Sequence, residues 1–328
     1  LQAGGDLAVS GTVTGFGNTL TLNAAGQISF GITTVDGNLL STTMGSNASG
    51  GLSQTGRLIV KGSATFTADT GANQDSLLNN TDNDFQGGVL FTNANGQHWR
   101  NVSLQDANTL TLGAITTSGN LTLSTTGAMD LSQSTVGGNL GVISNNHAIT
   151  QTGALTVTGT SNLNAGTANI TLTNTGNNFI GSVSATGGAV QITDANALSL
   201  GTVTTTGSLM LASTGALDLG TSTVGGNLAV TSNNNAITQA GALTVTGTSN
   251  LNAGTGNITL TNAGNDFAGA VSATGAAVQI RDTNALTLGT VSATGNVTMV
   301  STGALDLGTS TVTGAFSASS GNGHITQT

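Results

Sequence analysis

Six aspartates recur in two series with a step of 88 residues, and they are the first candidates for chemistry: Asp106, Asp194 and Asp282, then Asp130, Asp218 and Asp306. Paired carboxylates can share a proton or hold a cation, but only at close range. One step of the repeat separates the members of a series by several strand spacings, roughly 20 Å, which is beyond pairing and beyond the screening length of physiological salt. Asp130, Asp218 and Asp306 each lie between two apolar residues, so alternation points them at solvent, where they resist sideways aggregation. Asp106, Asp194 and Asp282 each precede x-Asn and read as turn formers. His98, His147 and His324 follow no repeat and have no cysteine partners, so a metal site is not expected. Gly254-Thr255-Gly256 has Thr259 where a dinucleotide fingerprint needs its third glycine. Asp82-Asn83-Asp84 could hold a loosely bound Ca²⁺ but reads more simply as a polar turn. No Ser/His/Asp arrangement stands out, and we expect no catalytic, cofactor-binding or metal-binding residue.

The stretch 57–106 is the most unusual. It holds Arg57, Lys61 and Arg100, three of the four cations, together with Trp99, the one tryptophan. In Asn95-Gly96-Gln97-His98-Trp99-Arg100 an aromatic adjoins a cation and amides, a combination suited to sugar stacking or protein contact. His98, Trp99 and Arg100 are therefore the candidate binding loop; the plainer reading has Trp99 covering an irregular turn of the chain. Several Asn-x-Ser/Thr triplets (among them Asn79, Asn101, Asn120, Asn169, Asn257 and Asn296) follow from an Asn- and Thr-rich composition and are also acceptors in form for glycosylation.

The elements that must carry these residues are set by the repeat. Ile149-Thr150-Gln151 returns as Ile237-Thr238-Gln239 and again as Ile325-Thr326-Gln327, 88 residues apart each time. A compact enzyme domain does not repeat itself so; a solenoid does, because each unit buries its apolar face against the next. We divide the chain, a single elongated domain over 1–328, into a partial repeat 1–56, a divergent repeat with insertions 57–153, and two regular repeats, 154–241 and 242–328. An insertion is expected to leave the stack as a loop.

Composition agrees. The 328 residues include 50 Gly, no Pro and no Cys, and all 13 acidic residues are Asp. Glu is absent and Lys and Arg are scarce, while Thr, Val, Ile and Asn are abundant, which favours strands and turns. Within a repeat, Leu155-Thr156-Val157-Thr158, Ile170-Thr171-Leu172-Thr173, Val190-Gln191-Ile192-Thr193 and Leu228-Ala229-Val230-Thr231 alternate apolar and polar, as short strands with one buried face do. Apolar starts at Leu155, Ile170, Val190, Leu209, Leu228 and Leu243 suggest coils of roughly 15 to 20 residues, four or five per repeat. The expected fold is an all-β, right-handed parallel β-helix. The net charge of −9 argues against nucleic acid, and no apolar run is long enough to span a membrane.

Gly-Asn-Leu-x-Leu, Asp194-Ala195-Asn196-Ala197-Leu198, Asn-Asp-Phe-x-Gly and Ser301-Thr302-Gly303-Ala304-Leu305-Asp306-Leu307 resemble the repeats of filamentous-haemagglutinin-like exoproteins, the passengers of two-partner secretion in Gram-negative bacteria. The resemblance covers essentially the whole chain. It implies export through an outer-membrane two-partner-secretion transporter and work at the cell surface as a stalk or adhesin. The partners would be host cells, bacterial surfaces or polysaccharides, with filament self-association compatible. The family's N-terminal secretion domain is not found in this stretch, which reads as shaft cut from a longer protein. The alternative is a β-helical polysaccharide-binding or polysaccharide-processing protein, for which Asp82, Asp84, Arg100 and Asp106 would have to form a cluster. An ice-binding solenoid would need Thr-x-Thr on every coil, and the sequence does not repeat it so.

Overall fold

The computed structural model describes residues 1–14, 18–44, 51–69, 74–94 and 98–327. Among them no residue is helical. The chain forms two compact units, Leu1–Ala168 and Asn169–Thr328, and each is a β-solenoid of parallel strands stacked coil upon coil.

In the second unit three stacks form the walls. One runs through Ile170–Leu172, Val190–Asp194, Leu209–Ser213, Leu228–Thr231, Ser249–Asn252 and Val271–Gly275. Another runs through the start of Leu198–Thr205, then Leu217–Asp218, Ile237–Thr238, Ile258–Leu260, Val278–Asp282 and Val297–Ser301. The third takes Val183–Gly187, the end of Leu198–Thr205, Thr221–Val224, Leu243–Val245 and Asp266–Phe267. Inward positions are Leu, Ile and Val at or near zero exposure, among them Leu209, Leu217, Leu243, Ile258 and Val278. Outward positions are mostly Thr, Ser, Asn and Gln.

The pairings correct one spacing read from the sequence. Leu228 pairs with Ser249 and Leu243 with Ser222, so the segment from Leu228 to Leu243 carries the chain between two walls and does not close a coil. True coils run from Val190 to Leu209, Leu209 to Leu228, Leu228 to Ser249 and Ser249 to Val271. Hydrogen bonds that join successive coils at one corner reach back 19 residues from Asn227 to Ser208 and 21 residues from Thr248 to Asn227. Four coils thus carry the chain from Val190 to Val271, whereas the repeat carries it on from Val190 to Val278. The repeat overshoots four coils by one wall. Val190 stands on the first stack and its equivalent Val278 on the second; Val183 stands on the third and Val271 on the first. Each repeat turns its own copy by one face.

In the first unit a stack runs through Gln27–Val35, Gly51–Gln54, Gln74–Leu78, Trp99–Asp106, Leu121–Thr125, Leu140–Ile143 and Ser161–Asn164. Beside it lie Thr19–Ala24, Asn38–Thr43, Ala64–Ala68 and Val89–Asn93. Coils between Asn38 and Arg100 are larger. The bonds from Ser63 N–H to Asn38 and between the Thr67 and Thr92 hydroxyls each span 25 residues, whereas that from Asn120 N–H to Asn101 spans 19. A longer perimeter encloses more volume, and aromatic side chains fill it. Phe66 packs on Phe91 with ring centroids 5.2 Å apart, meets Phe85 edge-on at 6.3 Å, and Phe91 meets Trp99 edge-on at 5.8 Å. Some of the inserted residues are thus absorbed into wider coils, and do not all leave the stack as a loop.

The recurring Gly-Asn-Leu turns also acquire a cause. Each asparagine Oδ1 accepts the backbone N–H of the corresponding residue one coil on: Asn101 from Asn120 at 2.9 Å, Asn120 from Asn139 at 2.8 Å, Asn257 from Ala277 and Asn296 from Ala315 at 3.0 Å. Four of the Asn-x-Ser/Thr triplets begin at these ladder asparagines.

Leu243 is fully buried and Thr244 is exposed on the same strand. Leu243→Asp is expected to destabilise its unit by at least about 3 kcal/mol, since an unpaired charge enters the bore. Thr244→Asp, set beside Thr223 and Asp266 in register, is expected to cost no more than about 1 kcal/mol. Urea unfolding of both variants measures the difference, and equal losses would contradict this facing.

Candidate functional site

The structure separates the three residues of the candidate binding loop. Trp99 opens the strand Trp99–Asp106 and is fully buried; its Nε1–H donates to Thr92 O at 3.1 Å and its backbone N–H to Asn93 Oδ1 at 3.2 Å. Trp99 presents no face to a ligand: the wide coil takes a large apolar side chain, and the indole fills it against Phe91, the plainer of its two readings. His98 is exposed, with Nδ1 3.2 Å from Asn93 Nδ2. Arg100 is half-exposed and forks onto Asp75, with Nε donating to Oδ1 at 2.9 Å and Nη2 to Oδ2. Asn95, Gly96 and Gln97 lie outside the described residues.

Asp75 also accepts the backbone N–H and the side-chain amide of Asn101, at 3.1 and 3.0 Å. Burial pushes its carboxyl up, but the Arg100 guanidinium and the Asn101 donors outweigh burial and hold it below the ordinary carboxylate range. A bidentate pair of this kind fixes the guanidinium in one plane. Arg100 thereby clamps the strand Trp99–Asp106 to the coil that carries Asp75.

The cluster required by polysaccharide processing is not assembled. Arg100 is taken by Asp75; Asp84 accepts Asn108 Nδ2 at 2.9 Å and Gln86 Nε2 at 2.8 Å; Asp82 is exposed; Asp106 is buried in a turn. Asn83, the centre of the possible Ca²⁺ triplet, is buried and bonded to Gln54, Leu58 N and Leu78 O. Among the described residues, no group of three or more His or Asp could hold a metal ion.

What the repeat preserves is a buried polar element spanning neighbouring coils. Across the junction of the last two repeats Gln239 and Asn265 exchange amide hydrogen bonds at 2.7 and 2.8 Å, Asn265 Oδ1 accepts Leu243 N–H at 3.0 Å, and Asn265 Nδ2 donates to Leu260 O. Two residues on, Phe267 N–H donates to Asp282 Oδ2 at 2.8 Å, and Asn284 N–H donates to Asp282 Oδ1 at 2.6 Å. Phe179 and Asn196 use Asp194 in the same way, both at 2.7 Å. Asp106, Asp194 and Asp282 are thus turn formers, as their spacing indicates, but they are buried ones. Burial pushes all three carboxyls up, Asp106 to about 6, and the hydrogen bonds from backbone N–H groups offset only part of that. The sequence signal for this burial is the Asn-x-Phe placed 15 residues upstream of Asp194 and of Asp282.

The other series also closes turns. Asp130, Asp218 and Asp306 are half-buried, and each accepts the N–H two residues on, from Ser132 at 2.7 Å, Gly220 at 2.8 Å and Gly308 at 3.0 Å. The donating residue of each turn is left-handed, with φ of 51° at Ser132, 54° at Gly220 and 47° at Gly308. Asp218 and Asp306 lie on different walls, so they form no carboxylate row.

Two substitutions follow. Asp194→Asn leaves one acceptor where two N–H groups point, and is expected to destabilise by about 1–3 kcal/mol in thermal unfolding. Ser132→Gly removes a left-handed non-glycine residue, and is expected to raise stability by up to about 1 kcal/mol; a loss of stability would contradict the strain assigned to that turn.

A family model described as repeats of unknown function (DUF5649) matches residues 17–92, 100–130, 122–186, 187–217, 208–274, 275–306 and 294–328. No curated protein and no solved structure gives a significant match. The matched stretches include both members of the Asn-x-Phe and Asp pairs Phe179–Asp194 and Phe267–Asp282, and nearly all of the coils described above. The chain belongs to the DUF5649 repeat family.

Proposed function

We propose that this chain is a structural segment of a secreted bacterial surface exoprotein of the filamentous-haemagglutinin-like kind, serving as the shaft of an adhesin. One observation supports the reading above others: the buried Asn and Asp that recur in each copy make bonds between coils. What recurs is the means of stacking, as expected of a part whose work is mechanical. In this reading the chain crosses the outer membrane through a two-partner-secretion transporter and folds outside, and lack of cysteine suits such a route. It then presents a binding region, or itself meets host cells, bacterial surfaces or polysaccharide. The exposed His98 and the outer edge of the Arg100–Asp75 pair are the surface left to the candidate loop.

Small-angle scattering of the purified chain tests the shaft reading. It predicts a pair-distance distribution that peaks at the coil diameter and falls in a long tail. A symmetric bell, as from a ball, would contradict it.

A further inference from the structure

The first copy of the Phe–Asp element differs from the other two at one atom. Asp194 and Asp282 give one carboxylate oxygen to each of two N–H groups, at 2.6 to 2.8 Å. Asp106 offers Oδ1 to both, Phe85 N–H at 3.4 Å and Asn108 N–H at 3.3 Å, and its Oδ2 meets no hydrogen-bond partner although the residue is fully buried. The origin is visible in the chain. Twenty-one residues separate Phe85 from Asp106, against 15 in each later copy. The enlarged coil brings the carboxyl to the turn with both donors on one oxygen.

The surroundings supply no countercharge. Asp84, on the preceding coil, is the charged group that acts on Asp106, and it has the same sign. Thr125, its register partner on the next coil, is neutral, as are Asn83, Ala107 and Asn108 around the turn. Lys61 pairs with Asp36 and Arg100 with Asp75, and neither pair includes Asp106. A buried carboxylate oxygen that no protein donor reaches is strongly disfavoured, and a neutral carboxyl is far less so.

We propose that Asp106 is a pH-operated latch between two coils: protonated, it holds the turn at 106–108 closed on Phe85, and ionised, it opens the turn to let solvent reach the carboxylate. The sign follows from burial. The folded carboxyl titrates near 6, above the ordinary value of 3.8, so the proton stabilises the closed form. That stabilisation is complete below about pH 4 and is lost as pH rises through about 6. Asp106 ends the strand that Trp99 opens and Arg100 follows, so the latch lies on the same strand as the Arg100–Asp75 clamp.

Hydrogen exchange of the intact chain between pH 5 and pH 7.5, corrected for intrinsic rates, reads the latch directly. Protection at the amides of Phe85, Ala107 and Asn108 is expected to fall by about tenfold or more across that range, and by much less at Phe179, Asn196, Phe267 and Asn284. In Asp106→Asn, which keeps Oδ1 and removes the charge, protection at the first three amides is expected to stay level. An equal fall at all three copies, or a fall that persists in D106N, would overturn the proposal. So would a carbon-13 titration of the wild-type Asp106 carboxyl with a midpoint below about 4.5, a measurement that does not depend on the variant folding.

Discussion

Every coil in these units owes its backbone hydrogen bonds to the coils before and after it. In a parallel stack a strand cannot satisfy its own N–H and C=O groups. Each strand is therefore committed to partners a full coil away in sequence, as Leu39 is to Ala64 and Leu209 to Leu228. This constraint accounts for the composition. Proline is absent, since it would remove a donor from the ladder. Asparagine recurs at turns because its side chain extends the ladder where the backbone bends. Glycine sits where one coil passes too close to the next for a Cβ, as at Gly220, where that atom would lie 2.2 Å from Gly201 O.

The same constraint makes the buried polar elements intelligible. Corners interrupt the strand ladders and leave N–H groups inside that have no partner in regular geometry. Asn265 and Asp282 accept them, and their own donors and oxygens are taken by Gln239, Leu260 O and the Asn284 turn. Such networks favour one register over its alternatives, because a slipped coil would bury both carboxylate and amide unpaired. The divergent repeat departs from this pattern at Asp106 and compensates elsewhere, by aromatic filling around Phe66, Phe91 and Trp99 and by the Arg100–Asp75 clamp.

Much of the architecture was legible in the sequence because parallel coils use a two-residue period with one greasy face. The alternation at Val190–Asp194 and Leu228–Thr231 located those strands to within a residue. Coil length was less legible, since an apolar start looks alike on any wall, and Leu243 reads as the successor of Leu228 although it belongs to another stack. The rotation of successive repeats by one face is invisible without the pairings. For the candidate loop, the two readings of Trp99 could not be separated for a physical reason: a lone tryptophan among polar residues reads as exposed unless the coil beneath it has widened. The carboxylates at Asp106, Asp194 and Asp282 were read correctly as turn formers, and their burial was missed because it depends on a phenylalanine turn one coil away.

The account rests on which residues stand above one another, and the absence of native cysteine makes that measurable by cross-linking. Met210 and Ala229 are register partners in adjacent coils of one wall, with the Cα separation that a disulfide spans. A chain carrying Met210→Cys and Ala229→Cys is predicted to oxidise readily to an intramolecular disulfide. Ala229→Cys with Thr244→Cys, closer in sequence but on different walls, is predicted to remain reduced. Ready closure of the second pair with failure of the first would contradict the stacking on which every other conclusion depends.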